Sequence, residues 1–122
     1  MKLSEITNTL VSEIKLTEVQ AKIFLHIVIH GKMNTTQISN DLNISLDAAA
    51  INCKKLVELG GFIDMPNDEF EAMHPRFTAV NMYRKMCERE QKEFKKNLDI
   101  DNIGVALEVS YDDARTKSNK KM

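Results

Sequence analysis

Between Thr17 and Met73 the chain carries a dense series of helix starts and stops, and these limit its fold more than any other feature. Thr17-Glu18-Val19-Gln20 has capping-box spacing: the Thr17 hydroxyl can accept the Gln20 amide while the Gln20 side chain reaches back. Ala21, Phe24, Leu25 and Val28 then share one helical face, and His30-Gly31 ends the segment, with Gly31 free to take positive φ. Lys32-Met33-Asn34 reads as a short connection holding a stub of strand. Thr35 or Thr36 caps a second helix, which runs to about Leu42 with Ile38 and Leu42 inward. Asn43-Ile44-Ser45 is a tight turn in which Ile44 plugs the core and Ser45 caps a third helix, halted at Gly60-Gly61. At about 100° per residue, Leu46, Ala49, Cys53 and Leu56 cluster inward, while Asp47, Ala48, Ile51, Lys54, Lys55 and Glu58 face the other way. Phe62-Ile63-Asp64-Met65 and Phe70-Glu71-Ala72-Met73 read as two strands joined by the turn formers Pro66-Asn67-Asp68-Glu69.

Three short helices followed by a hairpin form the plan of a winged helix-turn-helix, in which the second helix of the pair reads the major groove. The flanks add helices. Leu3, Ile6, Leu10 and Ile14 recur at helical spacing behind a possible Ser4 cap. After His74-Pro75-Arg76-Phe77 a long helix is predicted to about Asn97, its Val80, Tyr83, Cys87 and Phe94 at a/d spacing interrupted by Glu90. A further helix opens at Asp99 or Asp101 and carries Ile103, Ala106 and Leu107, and Ser110 to Asp113 has the spacing to open one last turn. The expected fold is therefore mainly α with a small β-hairpin. Residues 1–15 form an N-terminal helix, 16–75 the winged helix-turn-helix, 76–114 C-terminal helices and 115–122 a basic disordered tail.

The two flanking stripes exceed what a three-helix core can cover. Leu3, Ile6, Leu10 and Ile14, together with Val80, Tyr83, Cys87 and Phe94, are accordingly expected to bury against a second copy, giving a two-fold dimer with two reading helices.

Net charge is −1, but its distribution is uneven. Leu16 to Pro75 holds four Lys against eight acids, and Arg76 to Asn97 holds seven bases against three acids. Attraction to phosphate must therefore come largely from the C-terminal third, with Arg76, Arg84, Lys85 and the third-helix pair Lys54 and Lys55 as the expected contacts. The two cysteines, Cys53 and Cys87, form no CxxC pair and are expected as free, buried thiols of a reducing compartment. No segment approaches the ~18 apolar residues of a membrane span, and the start lacks a signal-peptide pattern, so the expected location is the cytoplasm, with no membrane partner.

Leu16-Thr17-Glu18-Val19-Gln20-Ala21-Lys22, Ile38-Ser39-Asn40-Asp41-Leu42-Asn43-Ile44-Ser45 and Leu56-Val57-Glu58-Leu59-Gly60-Gly61-Phe62-Ile63 resemble the archaeal TrmB-like regulators and the broader MarR-type winged helices. Met73-His74-Pro75-Arg76-Phe77 through Tyr83-Arg84 resembles single-domain archaeal members, so the likeness runs from about Leu16 to Arg115. It implies a DNA-binding transcriptional regulator acting as a homodimer. The positions of Thr36 and Gln37 would meet backbone phosphate, those of Asp47, Ala48, Ile51 and Lys55 would face base edges, and the hairpin tip at Asn67 would meet the flanking groove. The sugar-binding domain of the larger TrmB proteins has no counterpart in these residues, and sugar sensing does not carry over.

Two features depart from that chemistry. Ala48 and Ile51 can touch a thymine methyl but donate no hydrogen bonds. The hairpin carries Asp64, Asp68, Glu69 and Glu71 without Lys or Arg. An acidic wing suits a second reading, a protein-interaction module that docks on the transcription machinery. His26 and His30 have the spacing of a zinc pair but no third ligand nearby in sequence, and no metal or cofactor is expected. No nucleophile elbow, P-loop, GxGxxG or ligand cluster is present, so no enzymatic activity is expected.

Overall fold

The computed structural model describes the backbone of residues 1–120 and the side chains of residues 1–116. Within these residues the chain is mainly helical, with one small antiparallel sheet. The order is α1 (Leu3–Glu13), α2 (Glu18–His30), β1 (Met33–Asn34), α3 (Thr35–Leu42), α4 (Leu46–Glu58), β2 (Ile63–Met65), β3 (Glu69–Glu71), α5 (Pro75–Arg89) and α6 (Leu98–Lys120). No helix among the described residues is long and apolar enough to cross a membrane.

Local chemistry sets the helix starts. The Thr17 hydroxyl accepts the Gln20 amide at 3.2 Å and the Gln20 carbonyl oxygen accepts the Thr17 amide at 3.0 Å, so both halves of the capping box form. Gly31 ends α2 with φ 97°. The cap of α3 lies one residue earlier than Thr35: Asn34 accepts the Gln37 amide at 2.8 Å and the Gln37 side chain returns the bond at 2.9 Å. α1 also starts earlier than a Ser4 cap would allow: Lys2 holds the N-cap position without a side-chain cap bond, and its amide donates to Glu5 at 3.4 Å.

The sheet has three strands in the order β1-β3-β2. The hairpin pairs Ile63 with Glu71 and Met65 with Glu69, and β1 adds Met33 opposite Phe70. Phe70 turns into the core from the central strand, against Phe62 at a ring separation of 6.3 Å.

The flanking helices belong to the chain's own core. Ile6, Leu10 and Ile14 are fully buried, with α1 packed on α2 and α6. Each such side chain gains about 1.5–3 kcal/mol by leaving water. Cys87 is buried as well. These four residues, expected at a seam between two copies, are therefore closed off inside one chain, because α6 folds back to cover the stripe that a three-helix core leaves bare. Of the expected seam, Leu3 and Phe94 stay exposed and Val80 and Tyr83 are half-buried.

α5 ends at Arg89, eight residues short of the predicted Asn97. Gln91 takes the left-handed conformation (φ 55°), its amide bonds Glu88 O and the Lys92 amide bonds Cys87 O at 2.9 Å, a complete Schellman stop. The chain then folds back, and Phe94 meets Tyr83 across this loop at 6.1 Å between rings rather than along one helix. α6 runs unbroken through Ser110–Asp113. It crosses α5 closely at Gly104, where a Cβ would sit 2.6 Å from the Arg76 Cα. Arg115 and Thr116, expected in a disordered tail, lie in this helix; the rest of that tail falls outside the described side chains.

Candidate nucleic-acid interface

The α3–α4 unit is held by its own polar groups. Asn43 adopts the left-handed conformation at the end of α3 (φ 54°), the Ser39 hydroxyl donates to Ile44 O at 2.6 Å, and the Ser45 hydroxyl accepts the Ala48 amide at 3.0 Å. Asparagine tolerates that φ because its short side chain bonds locally. Ile38, Ala49, Cys53 and Leu56 bury the inner faces. Burial pushes the Cys53 thiol up to about 12. Leu46 does not join them. It stands in the first turn of α4, beyond the edge of the core, and is 51% exposed.

The outer face of α4 presents Asp47, Ile51, Lys54 and Lys55. Ile51 is 67% exposed, the reverse of what an aliphatic side chain does when it has a core to enter. Ala48 is half-buried, and its carbonyl accepts Asn52 Nδ2 at 2.9 Å. Asn52 in turn accepts from Gln20 at 3.4 Å, which ties α4 to the start of α2. Thr36 and Gln37 are exposed at the start of α3, though the Gln37 carbonyl oxygen is engaged in the cap. Asn67 stands at the hairpin tip with φ 66°.

The bases are less free than their count suggests. Arg84 donates to Glu88 at 3.0 Å and to Asn81 at 2.6 Å. Lys55 lies 3.4 Å from Glu58, and Arg76 is 2.9 Å from Glu108 on α6, not beside α4. Lys32 lies 3.9 Å from Glu69 at the hairpin. Among the described residues Lys54 and Lys85 make no ion pair. Asn81 donates to Gly60 O at 3.1 Å, so Arg84 and Lys85, one turn further along α5, flank the C-terminal end of α4.

Two polar clusters escaped sequence reasoning. Arg115 reaches across to the last turn of α2, donating to Val28 O at 2.6 Å and Ile27 O at 3.3 Å; it also pairs with Glu71 of β3 and stacks on the Tyr111 ring at 3.8 Å. Burial raises the Tyr111 phenol above its usual range, with Arg115 opposing. His74 caps α5 and approaches Glu108, with Asp112 one turn away. No signal in the sequence joins these positions beyond the i, i+4 spacing of Glu108 and Asp112. On α2, His30 is exposed, whereas His26 is half-buried and lies 2.9 Å from Asp41.

No protein-family model, no curated protein and no solved structure matches the chain.

Proposed function

We propose that this chain is a winged helix-turn-helix DNA-binding module of a transcriptional regulator, TrmB-like in kind, with α3 and α4 as the helix-turn-helix, the β2–β3 hairpin as the wing and a homodimer as the working form. The observation that carries the reading is the outer face of α4. Asp47, Ile51, Lys54 and Lys55 lie exposed on a helix whose opposite face is locked into the core, and such a rigid, uncommitted face next to a hairpin suits the major groove. Lys54 and Lys85 would meet phosphate directly. Arg76, Arg84 and Lys55 would exchange an internal acid for one. The seam between copies would use Leu3, Val80, Tyr83 and Phe94, which keep accessible apolar surface. Fluorescence anisotropy with random duplex DNA at several salt concentrations tests the reading, and no binding at low salt would refute it.

One observation favours a protein-interaction module instead. The hairpin exposes Asp64 and Asp68, and the two cations that reach it, Lys32 and Arg115, are already at Glu69 and Glu71, so the wing repels a phosphate backbone. On this reading the acidic wing docks a basic protein of the transcription machinery. Reversing Asp64 and Asp68 to Lys should then abolish docking, whereas for a DNA wing it should strengthen duplex binding.

A further inference from the structure

His74 closes the segment leading out of β3 and starts α5. Its Nδ1 accepts the Arg76 amide at 3.2 Å, and its Nε2 lies 3.6 Å from Glu108 Oε1 on α6. Asp112 follows one turn later on the same helix. One donor atom each from His74, Glu108 and Asp112 lies within 4.8 Å of the other two.

We propose that these three side chains form a binding site for a divalent transition-metal ion of the Zn2+ or Co2+ class, tying the exit of the hairpin to α6. Ligands held ~2.0–2.2 Å from a tetrahedral ion stand roughly 3.4 Å apart. The His74–Glu108 separation of 3.6 Å already meets that spacing. Asp112 is exposed, its donor atom lies within 4.8 Å of the other two, and binding would require its side chain to turn toward them.

The charges point the same way. Glu108 and Asp112 are like charges at i, i+4, an arrangement that destabilises a helix unless a cation intervenes. Arg76 answers only Glu108. Among the described residues Asp112 makes neither a hydrogen bond nor an ion pair, so its oxygens have lone pairs to offer. One imidazole with two carboxylates suits borderline ions, whereas Ca2+ and Mg2+ favour oxygen ligands throughout. Three protein ligands leave a position for water.

Two groups oppose the ion, and both are part of the test. The Arg76 guanidinium sits on Glu108 Oε2 at 2.9 Å and must swing into solvent, which its exposure permits. An imidazole bound through Nε2 carries its proton on Nδ1, so the Arg76 amide loses its acceptor.

The experiment uses the full chain, stripped with chelator, and follows Co2+ by its visible absorption and Zn2+ by calorimetry. The expected result is one ion per chain. His74→Gln and Asp112→Asn should each weaken binding at least roughly tenfold, and Arg76→Ala should tighten it by removing the competitor. Circular dichroism confirms that each variant folds, and Asp112→Asn carries the test if loss of the His74 cap unfolds the first variant. No binding at millimolar ion would overturn the proposal. So would binding that survives both ligand changes, or binding abolished by His26→Gln or His30→Gln, which would place the ion on α2.

Discussion

Arg115 of α6 and Glu71 of β3 form a direct ion pair across 44 residues of sequence, and the same guanidinium caps the carbonyls of Ile27 and Val28. Three elements with no covalent reason to meet, α2, β3 and α6, are joined through one side chain. Glu71 is fixed from both sides, since it also accepts the Ala72 amide at 2.8 Å. The planar fork of arginine suits this task because it donates in several directions at once.

Removing that fork leaves the Val28 carbonyl without its donor and strips the part-buried Glu71 carboxylate of its cation, while Ile27 O keeps the Gly31 amide and Glu71 the Ala72 amide. Arg115→Ala is expected to destabilise the fold by about 1–3 kcal/mol, the figure discounted because both partners keep partial contact with water. Arg115→Lys should recover little, since a single nitrogen cannot stand both where Nη1 meets Val28 O and where Nη2 meets Glu71 and Ile27 O. Urea unfolding measures both, and a wild-type midpoint for Arg115→Ala would show that the network contributes nothing.

The second expectation separates core from seam. Leu10 is fully buried beneath α2 and α6. Leu10→Ala should cost about 2–5 kcal/mol through lost burial and a residual cavity. The same substitution in a dimer seam would instead lower the association state at constant protomer stability. Sedimentation of the variant beside its unfolding curve decides between them. An unchanged unfolding midpoint with a lighter species would return α1 to the seam.

These two residues show what the sequence disclosed and what it withheld. The stripe Leu3-Ile6-Leu10-Ile14 correctly marks a helix that must bury a face, because periodicity reports amphipathicity. It does not report the partners, and here they are the neighbouring α2 and also α6, some ninety residues away. Caps were legible because their bonds span three residues: Thr17 with Gln20, and Ser45 with Ala48. The end of α5 was hidden because Gln91, not glycine, takes the left-handed position, a conformation imposed by context at a cost of about 1–2 kcal/mol. The Arg115 and His74 clusters were hidden for the same reason as the distant partner of α1. They assemble only when α6 folds back along α5.

Cys53 provides a pH-dependent test. Burial raises its thiol from 9.0 to about 12, so the folded state holds the proton more tightly than the unfolded chain. The contribution to stability is full below pH 9.0 and is lost as pH rises from there toward about 12. Unfolding free energy should therefore decline over that alkaline window. A Cys53→Ala variant, though less stable overall, should decline less steeply. At neutral pH a thiol reagent should modify Cys53 only after denaturant is added, and rapid labelling of the native protein would contradict its burial.

Phosphate attraction, on the DNA-binding reading, rests first on Lys54 and Lys85, the expected contacts that no acid holds among the described residues. Lys54→Ala and Lys85→Ala should each reduce the log–log salt slope of duplex binding by about 0.9. Arg84→Ala should reduce it by less, because Arg84 must first leave Glu88 and Asn81. Equal effects from all three would mean that the internal pairs dissolve on binding. No effect from Lys54 or Lys85 would move the contact surface elsewhere.

The most demanding expectation concerns Ile51. Its side chain is 67% exposed on the outer face of α4, so changing it removes little packing, and Ile51→Arg should alter stability by no more than about 0.5 kcal/mol. In the major groove an aliphatic group gains only against apolar atoms, and the thymine methyl supplies them. Asp47, one turn earlier, can accept from cytosine N4 but repels nearby phosphate. The wild type is therefore expected to bind with low specificity and a bias toward thymine, in half-sites ~10 bp apart if two copies bind with two-fold symmetry. Ile51→Arg adds a charge and a fork that fits guanine, so it should raise general affinity and move the preferred sequence toward guanine. Selection from random duplexes at near-physiological salt, run on both proteins, tests this directly. Enrichment of thymine-containing sites by the wild type, replaced by guanine in the variant, would place α4 in the groove. Enrichment by neither would remove base reading from this face and leave the acidic hairpin as the better candidate surface.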